Sequence, residues 1–356
     1  MSLTELGWNE QLENDFPDGD GLVPGRVTVE RRGAYAVATA EGDAWAELAG
    51  KLRYETMYRG QLPAVGDWVA LQLRQEGKAT IRGVLPRRTA IVRKTNLGET
   101  EEQVLAANVD TIFLVSSLNR DLNVRRIERY LATAWESGAD PAIILNKADL
   151  CPVDERAELI AEVEAVAFGV PVHTVSAVTG EGMDELHPYL APGRTAVMLG
   201  SSGVGKSTLV NRLTGTDELA TQEIRAGDDR GRHTTSHREL IVLPGGGLVI
   251  DTPGLRELQL WESSGGMTEA FSDVEELAST CRFTDCAHET EPGCAVREAI
   301  RSGRLPCERL ESYRKLQREL ARLERRREGK RAQVEYRKKM RTFAKQQRRN
   351  PKARRR

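Results

Sequence analysis

The sequence predicts a multidomain α/β protein: a small β-barrel, a parallel α/β domain, and a C-terminal helical segment that holds a metal and ends in a basic tail. Three observations carry this. From Gly25 to about Val92, short β-rich runs alternate with turns and no long helical period appears. From Val109, apolar strand-sized runs alternate with helix-sized segments, the pattern of a parallel sheet covered by helices. After about Trp261 the strand pattern stops, cysteines and a histidine crowd together, and an apolar stripe at helical spacing follows. These shifts divide the 356 residues into 1–24 (a flexible N-terminus), 25–95 (the barrel), 96–262 (the α/β domain), 263–330 (the helical metal domain) and 331–356 (a basic, disordered tail).

Each element has a local reason. The opening is turn-rich, Phe16-Pro17-Asp18-Gly19-Asp20-Gly21, so flexibility is expected there. Barrel strands are expected at Gly25–Val29, Ala34–Ala40, Asp67–Leu73 and Ala79–Val84, and Leu97–Asn108 reads as a connector. The α/β strands are expected at Thr111–Val115, Ala142–Leu145, Val172–Val175, Thr195–Leu199, Glu239–Leu243 and Leu248–Ile250. The intervening helices are expected at Val124–Ser137, Asp154–Ala167, Met183–Tyr189 and Lys206–Leu213. Near the end, Tyr313, Leu316, Leu320 and Leu323 recur at spacings of three and four on a basic helix.

Composition narrows the class. Hydrophobic residues make up 39% and charged residues 29%, ordinary for a soluble globular chain. No apolar run approaches the ~20 residues of a membrane helix, and Met1 to Phe16 is too acidic and polar for a signal peptide. We therefore expect a cytoplasmic monomer with no membrane partner. The net charge of −1 hides an asymmetry: Ser312 to Arg356 holds 20 Lys+Arg and 4 Asp+Glu. Such a tail fits a polyanion partner, or is simply a solvated extension.

Gly200-Ser201-Ser202-Gly203-Val204-Gly205-Lys206-Ser207-Thr208 fits the phosphate-loop pattern, with a strand before it and a helix after it. Glycines let backbone N–H groups wrap phosphates, and the helix start adds a positive dipole end. Lys206 is expected on the β- and γ-phosphates and Ser207 on Mg²⁺. Leu248-Val249-Ile250-Asp251-Thr252-Pro253-Gly254 is a strand ending in an Asp and a tight turn, which is also what an ordinary Pro-Gly turn looks like. Asp251 is expected to hold Mg²⁺ and the Gly254 N–H to approach the γ-phosphate. In Gly231-Arg232-His233-Thr234-Thr235 a threonine can close over Mg²⁺, with Thr235 preferred over Thr234.

Base choice is expected from Asn146-Lys147-Ala148-Asp149, which ends a strand. An aspartate there accepts from both N1–H and the exocyclic amine of guanine, which adenine does not offer in that geometry. Lys147 would lie on the base plane, and Ser176-Ala177 would offer a backbone N–H to the guanine oxygen. All four motifs sit at carboxyl ends of expected strands, where an open α/β sheet binds ligands.

Five cysteines, Cys151, Cys281, Cys286, Cys294 and Cys307, argue against a disulfide framework. Cys281, Cys286, His288 and Cys294 supply three thiolates and an imidazole, a full tetrahedral set for one structural Zn²⁺. Cys307 remains a possible decoy ligand.

In Ras-like GTPases the phosphate loop comes first and the guanine motifs last. Here the guanine motifs precede it, so the six strands run 4-5-6-1-2-3 in Ras-like order, as in circularly permuted GTPases. With Gly231-Arg232-His233-Thr234-Thr235 and Cys281-Arg282-Phe283-Thr284-Asp285-Cys286-Ala287-His288, the chain resembles the ribosome small-subunit-dependent GTPase A family over about Gly25 to Lys330. The resemblance implies an OB-fold, a circularly permuted P-loop GTPase domain and a zinc domain. It also implies GTP hydrolysis coupled to late maturation of the small ribosomal subunit, binding of its rRNA and stimulation by it. Leu255 stands where Ras-like enzymes carry a water-orienting Gln, and the resemblance points to His233 as the substitute, with Lys206 and Thr235 completing the catalytic set. Two other readings stay open: an RNA-binding module that uses GTP as a structural or switch ligand, and a P-loop ATPase acting on nucleic acid.

Overall fold

Period-two burial builds the first domain. A computed structural model describes residues 1–19, 21–31, 33–55, 59–75, 77–95, 101–119, 122–215, 238–251 and 264–321. Its first five strands are β1 (Leu22–Arg31), β2 (Ala34–Thr39), β3 (Gly42–Leu48), β4 (Trp68–Leu73) and β5 (Lys78–Val84). They pair in the order β1-β2-β3-β5-β4, and β4 returns to β1 from Leu22↔Gln72 to Arg26↔Trp68. This is the closed five-stranded barrel of an OB-fold. Val27, Val37, Ala46, Val69, Leu71 and Ile81 fill it. In β3, Ala44 and Ala46 point inward while Trp45 between them is exposed. No strand is expected there from the sequence, because Gly42-Asp43-Ala44 carries little β propensity.

Two expectations need correction. Residues 1–24, expected to be flexible, hold α1 (Glu10–Asp15), whose N-cap Asn9 accepts from the Leu12 N–H at 3.1 Å. Leu6 there is fully buried and Trp8 packs edge-on against Trp68 at 4.9 Å, so apolar docking holds a segment whose composition is that of turns. Residues 97–108, expected as a connector, contain β7 (Glu101–Ala107), paired antiparallel with β6 (Ala90–Thr95). The expected boundary at 95/96 therefore falls inside a hairpin.

The α/β sheet contains β8 (Thr111–Ser117), β9 (Asp140–Asn146), β10 (Val172–Thr174), β11 (Thr195–Leu199), β12 (Glu239–Val242) and β13 (Leu248–Asp251). Their spatial order is β10-β9-β8-β11-β13-β12, parallel except for β12 against β13. The chain thus enters at a central strand, builds out to one edge, returns to the centre at β11 and builds the other edge. The pair Val29↔Glu239 joins β12 to β1 of the barrel. Both faces of the sheet are covered, so β8 is buried along its whole length. Ile112, Leu114, Ile143 and Leu145 face one core, while Phe113, Val115, Ala142 and Ile144 face the other.

After the short α2 (Gly50–Glu55), helix α3 (Val124–Ser137) covers the first face beside α4 (Val153–Glu164), which buries Val163 there. Ile127, Leu131 and Ala134 form its buried stripe, Asn123 caps its start, and Gly138 in the left-handed region ends it. The second face is closed by α5 (Lys206–Thr214) through Leu209 and Val210. Beyond the sheet come α6 (Ser264–Ala270), α7 (Ser272–Ser279), α8 (Ala295–Arg301) and α9 over 307–321. A Cβ on Gly266 would lie 2.2 Å from the Ala132 carbonyl oxygen, so α6 crosses α3 at backbone contact. Tyr313, Leu316 and Leu320 form the expected buried stripe of α9; Leu323 lies outside the described residues. Among the described residues no helix is long and apolar enough to cross a membrane.

Candidate nucleotide and metal sites

The strand ends bring three loops together. Asn146, the last residue of β9 and almost fully buried, is the tie between them. Its Nδ2 donates to the Val204 carbonyl in the phosphate loop at 2.9 Å, and its Oδ1 accepts from the Ala177 N–H at 3.1 Å. Asparagine alone among small side chains offers a donor and an acceptor in one plane, which this bridge needs. A Cβ on Gly205, at φ +97°, would sit 2.3 Å from that Nδ2, so only glycine admits the tie.

Lys147 takes the left-handed region, φ 66°, and turns the chain so that Asp149 projects outward on a short 3₁₀ turn. The Asp149 Oδ1 accepts from Ser176 Oγ at 2.6 Å, and the Ala148 N–H donates to the Val175 carbonyl at 3.1 Å. The loop of Asn146, Lys147, Ala148 and Asp149 is thereby set against Ser176 and Ala177. Arg156 reinforces the joint: its guanidinium donates to the Cys151 carbonyl at 3.2 Å, to the Ala148 carbonyl, and to Glu181 Oε1 at 2.7 Å. Of the two backbone N–H groups in Ser176-Ala177, one of which is expected at the guanine oxygen, that of Ser176 is donated to the Glu181 carbonyl and that of Ala177 to Asn146 here.

The phosphate loop, Gly200, Ser201, Ser202, Gly203, Val204 and Gly205, leads from β11 into α5, which begins at Lys206 with Ser207 and Thr208 in its first turn. Gly203 and Gly205 both have positive φ, which opens the backbone for a cradle of N–H groups. Lys206 Nζ donates to the Gly200 and Ser201 carbonyls, each at 2.7 Å, which folds the ammonium back along its own loop. Asp251 ends β13, which pairs in parallel with β11 through Val197↔Ile250, so it sits at the strand end from which the phosphate loop leaves β11, and Ser207 is exposed in the first turn of α5. Hard oxygen donors of this kind suit Mg²⁺ carried with a nucleotide phosphate. His233, Thr234, Thr235, Gly254 and Leu255 lie outside the described residues.

Sequence reasoning misses Arg126. From the first turn of α3 its Nη1 donates to Ser201 Oγ at 2.9 Å. No local pattern marks it, because its partner lies 75 positions away.

Cys281, Cys286, His288 and Cys294 form the second cluster, with ligand atoms all within 4.8 Å of one another. Cys281 Sγ lies 3.9 Å from Cys294 Sγ, and His288 Nδ1 lies 3.6 and 3.4 Å from those sulfurs. A tetrahedron with metal–sulfur bonds near 2.3 Å has edges of about 3.8 Å, so the four groups fit a metal ion. His288 adopts φ 59°, which turns its ring inward, and Cys294 caps α8, its sulfur accepting from the Arg297 N–H. Burial raises the Cys281 thiol, but the Val296 and Ala295 N–H groups at the start of α8 outweigh it and hold the group below its ordinary value. Desolvation, opposed by the His288 N–H, pushes Cys286 up to about 11.

Known proteins agree with this layout. A family model described as RsgA GTPase matches residues 84–261, and one described as 50S ribosome-binding GTPase matches residues 195–331. The second match begins at the strand of the phosphate loop, as the rotated motif order requires, since the guanine motifs lie before it. A small ribosomal subunit biogenesis GTPase RsgA from Opitutus terrae is 50% identical over 333 residues, covering 90% of each chain. The crystal structure of YjeQ from Thermotoga maritima superposes with a TM-score of 0.64 at 28% identity, over 84% of this chain and 99% of that one. That of YloQ, described as a circularly permuted GTPase, superposes with a TM-score of 0.62 at 23% identity, over 86% of this chain and 98% of that one, a likeness of fold. With a family model matching residues 84–261 and a relative 50% identical across 90% of both chains, the chain belongs to the RsgA GTPase family and is a GTPase.

Proposed function

We propose that this protein couples GTP hydrolysis to late maturation of the small ribosomal subunit, as a cytoplasmic monomer. The observation that carries the reading is the 50% identity, across 90% of both chains, to a relative named for small-subunit biogenesis. Asp149 selects guanine, Lys147 lies on the base, and residues 200–208 cradle the phosphates. Ser207, Thr235 and Asp251 hold Mg²⁺, and Gly254 senses the γ-phosphate. Zinc occupies the Cys281, Cys286, His288, Cys294 cluster and staples a segment too small for its own core. The OB-fold barrel and the basic tail bind rRNA, since a closed barrel and dense positive charge are common means of holding nucleic acid. Intrinsic hydrolysis is slow, because Leu255 cannot orient water, and the subunit stimulates it by acting on the loop of His233.

A second reading has its own support: the model matching residues 195–331 is described by binding to the 50S subunit. Hydrolysis of GTP measured with purified small subunits, with large subunits and with neither separates the two. Stimulation by small subunits alone is expected. Stimulation by large subunits, or turnover that neither subunit raises, overturns the proposal.

A further inference from the structure

Among the described residues, Lys206 is the phosphate loop's own cation. As the β–γ bond breaks, the leaving electron pair passes to GDP and negative charge spreads over the transferring phosphoryl oxygens. Lys206 and Mg²⁺ answer part of it, and the residue after the Asp251-x-x-Gly254 turn is Leu255, which offers no polar group. Many GTPases complete such a site with an arginine supplied in cis or by a partner.

Arg126 is placed for that task. It projects from the first turn of α3, is half-buried, and its Nη1 reaches Ser201 Oγ at 2.9 Å. Lys206 Nζ holds the carbonyl of the same residue at 2.7 Å. Two cations therefore converge on Ser201 from different elements. Like charges brought together without an anion between them are unfavourable, and an anion seated beside them relieves the repulsion. Among the described residues Arg126 makes one hydrogen bond, to a neutral hydroxyl, and its guanidinium carries five N–H donors in all.

The other contacts of α3 give this arginine a regulatory setting. Glu128, two residues on, pairs with Arg309 at 2.7 Å, and Arg129 pairs with Glu319 at 3.1 Å. Both partners belong to α9, which packs on the metal domain. The helix that carries Arg126 to the phosphate loop is thus clamped by the C-terminal domain.

We propose that Arg126 is the cis arginine of this GTPase, exchanging its Ser201 hydroxyl for the γ-phosphoryl oxygens as hydrolysis proceeds, with its placement held by the C-terminal domain through α3. It donates hydrogen bonds and charge only. Water supplies the new P–O bond and its protons stay with the released phosphate, GDP takes the electron pair of the broken bond, and the guanidinium gives up no proton. The inference rests on the GTPase activity and not on which subunit stimulates it.

The test is single-turnover hydrolysis by the full chain, with and without small subunits, for R126A, R126K and R126A plus guanidinium chloride at millimolar concentration. The expected result is at least a tenfold loss of rate in R126A with GTP affinity changed less than threefold. Partial recovery is expected in R126K and on adding guanidinium but not sodium chloride. Binding of GDP with aluminium fluoride should fall in R126A while binding of GDP does not. An unchanged rate, or equal losses of affinity and rate without guanidinium rescue, would make Arg126 a structural tether and overturn the proposal. A loss in R126A that is the same with and without subunits still supports the arginine even if the ribosomal reading fails.

Discussion

The guanidinium of Arg309 lies against the carboxylate of Glu128, Nη1 to Oε1 at 2.7 Å, with the two side chains only 2% and 4% exposed. The same guanidinium also holds both carboxylate oxygens of Asp273 and the Ala270 carbonyl, and lies over the Phe271 ring at 4.3 Å. One buried cation thus binds α9, the α6–α7 junction and the GTPase helix α3. Removing one partner leaves a charge desolvated and unpaired, at a cost of about 3–5 kcal/mol. We expect R309A, which leaves Glu128 buried and unpaired, to lower the unfolding free energy by about that much in urea titrations, and E128A to cost less, because Arg309 keeps Asp273. The double variant should cost less than the sum of the two, because the residues share one contact. Additive losses would show that the pair is not coupled.

Guanine selection should move with one atom. In D149N an amide N–H replaces one carboxylate acceptor, so it meets the exocyclic 2-amine of guanine donor to donor but can pair with the 2-carbonyl of xanthine, while the amide oxygen still accepts from N1–H. Loss of one charge-assisted bond, about 1.5–3 kcal/mol, and weakening of the other weaken GTP binding by at least ~10-fold. Competition binding should show GTP affinity falling while xanthosine triphosphate affinity rises. Unaltered GTP affinity would remove Asp149 from base recognition.

The cysteine cluster should carry one zinc per chain. C294S should lose it, by elemental analysis, and lower the melting temperature of the chain. Zinc ligates thiolates, and Cys286 without metal is pushed up to about 11, so uptake must release protons. Apparent zinc affinity should therefore fall as pH is lowered, because protons compete for the sulfurs. A pH-independent affinity would argue against thiolate ligation.

The tie at Asn146 predicts a sharp backbone requirement. In G205A the new Cβ meets Asn146 Nδ2 at 2.3 Å and the residue must hold φ +97°, which L side chains rarely adopt. Nucleotide binding should be lost by calorimetry while the circular dichroism spectrum is retained. Wild-type affinity in G205A would mean the loop relaxes freely.

For His233, the expected outcome of H233A is at least a tenfold drop in subunit-stimulated turnover with GTP affinity unchanged. Equal stimulation in H233A would assign the attacking water to the ribosome instead.

Local pattern determined much of this protein. The helix Val124–Ser137 and the strand Thr195–Leu199 begin and end where their caps and apolar runs say. The four cysteine-cluster ligands could be chosen from spacing alone, because they lie within one short segment. Motif order along the chain already revealed the rotated connectivity. What tertiary structure decided depends on partners far away in sequence. Closure of the barrel by β4 on β1, docking of Leu6 and Trp8, and the pairing of β7 leave no period in the sequence, because burial there is supplied by another element. Arg126 reads as one more basic residue on a solvated helix until Ser201, 75 residues on, is folded against it. Glu128 and Arg309, 181 positions apart, read as two surface charges until the fold removes water from both. Periodicity encodes which face an element buries; only the packed chain specifies what it is buried against.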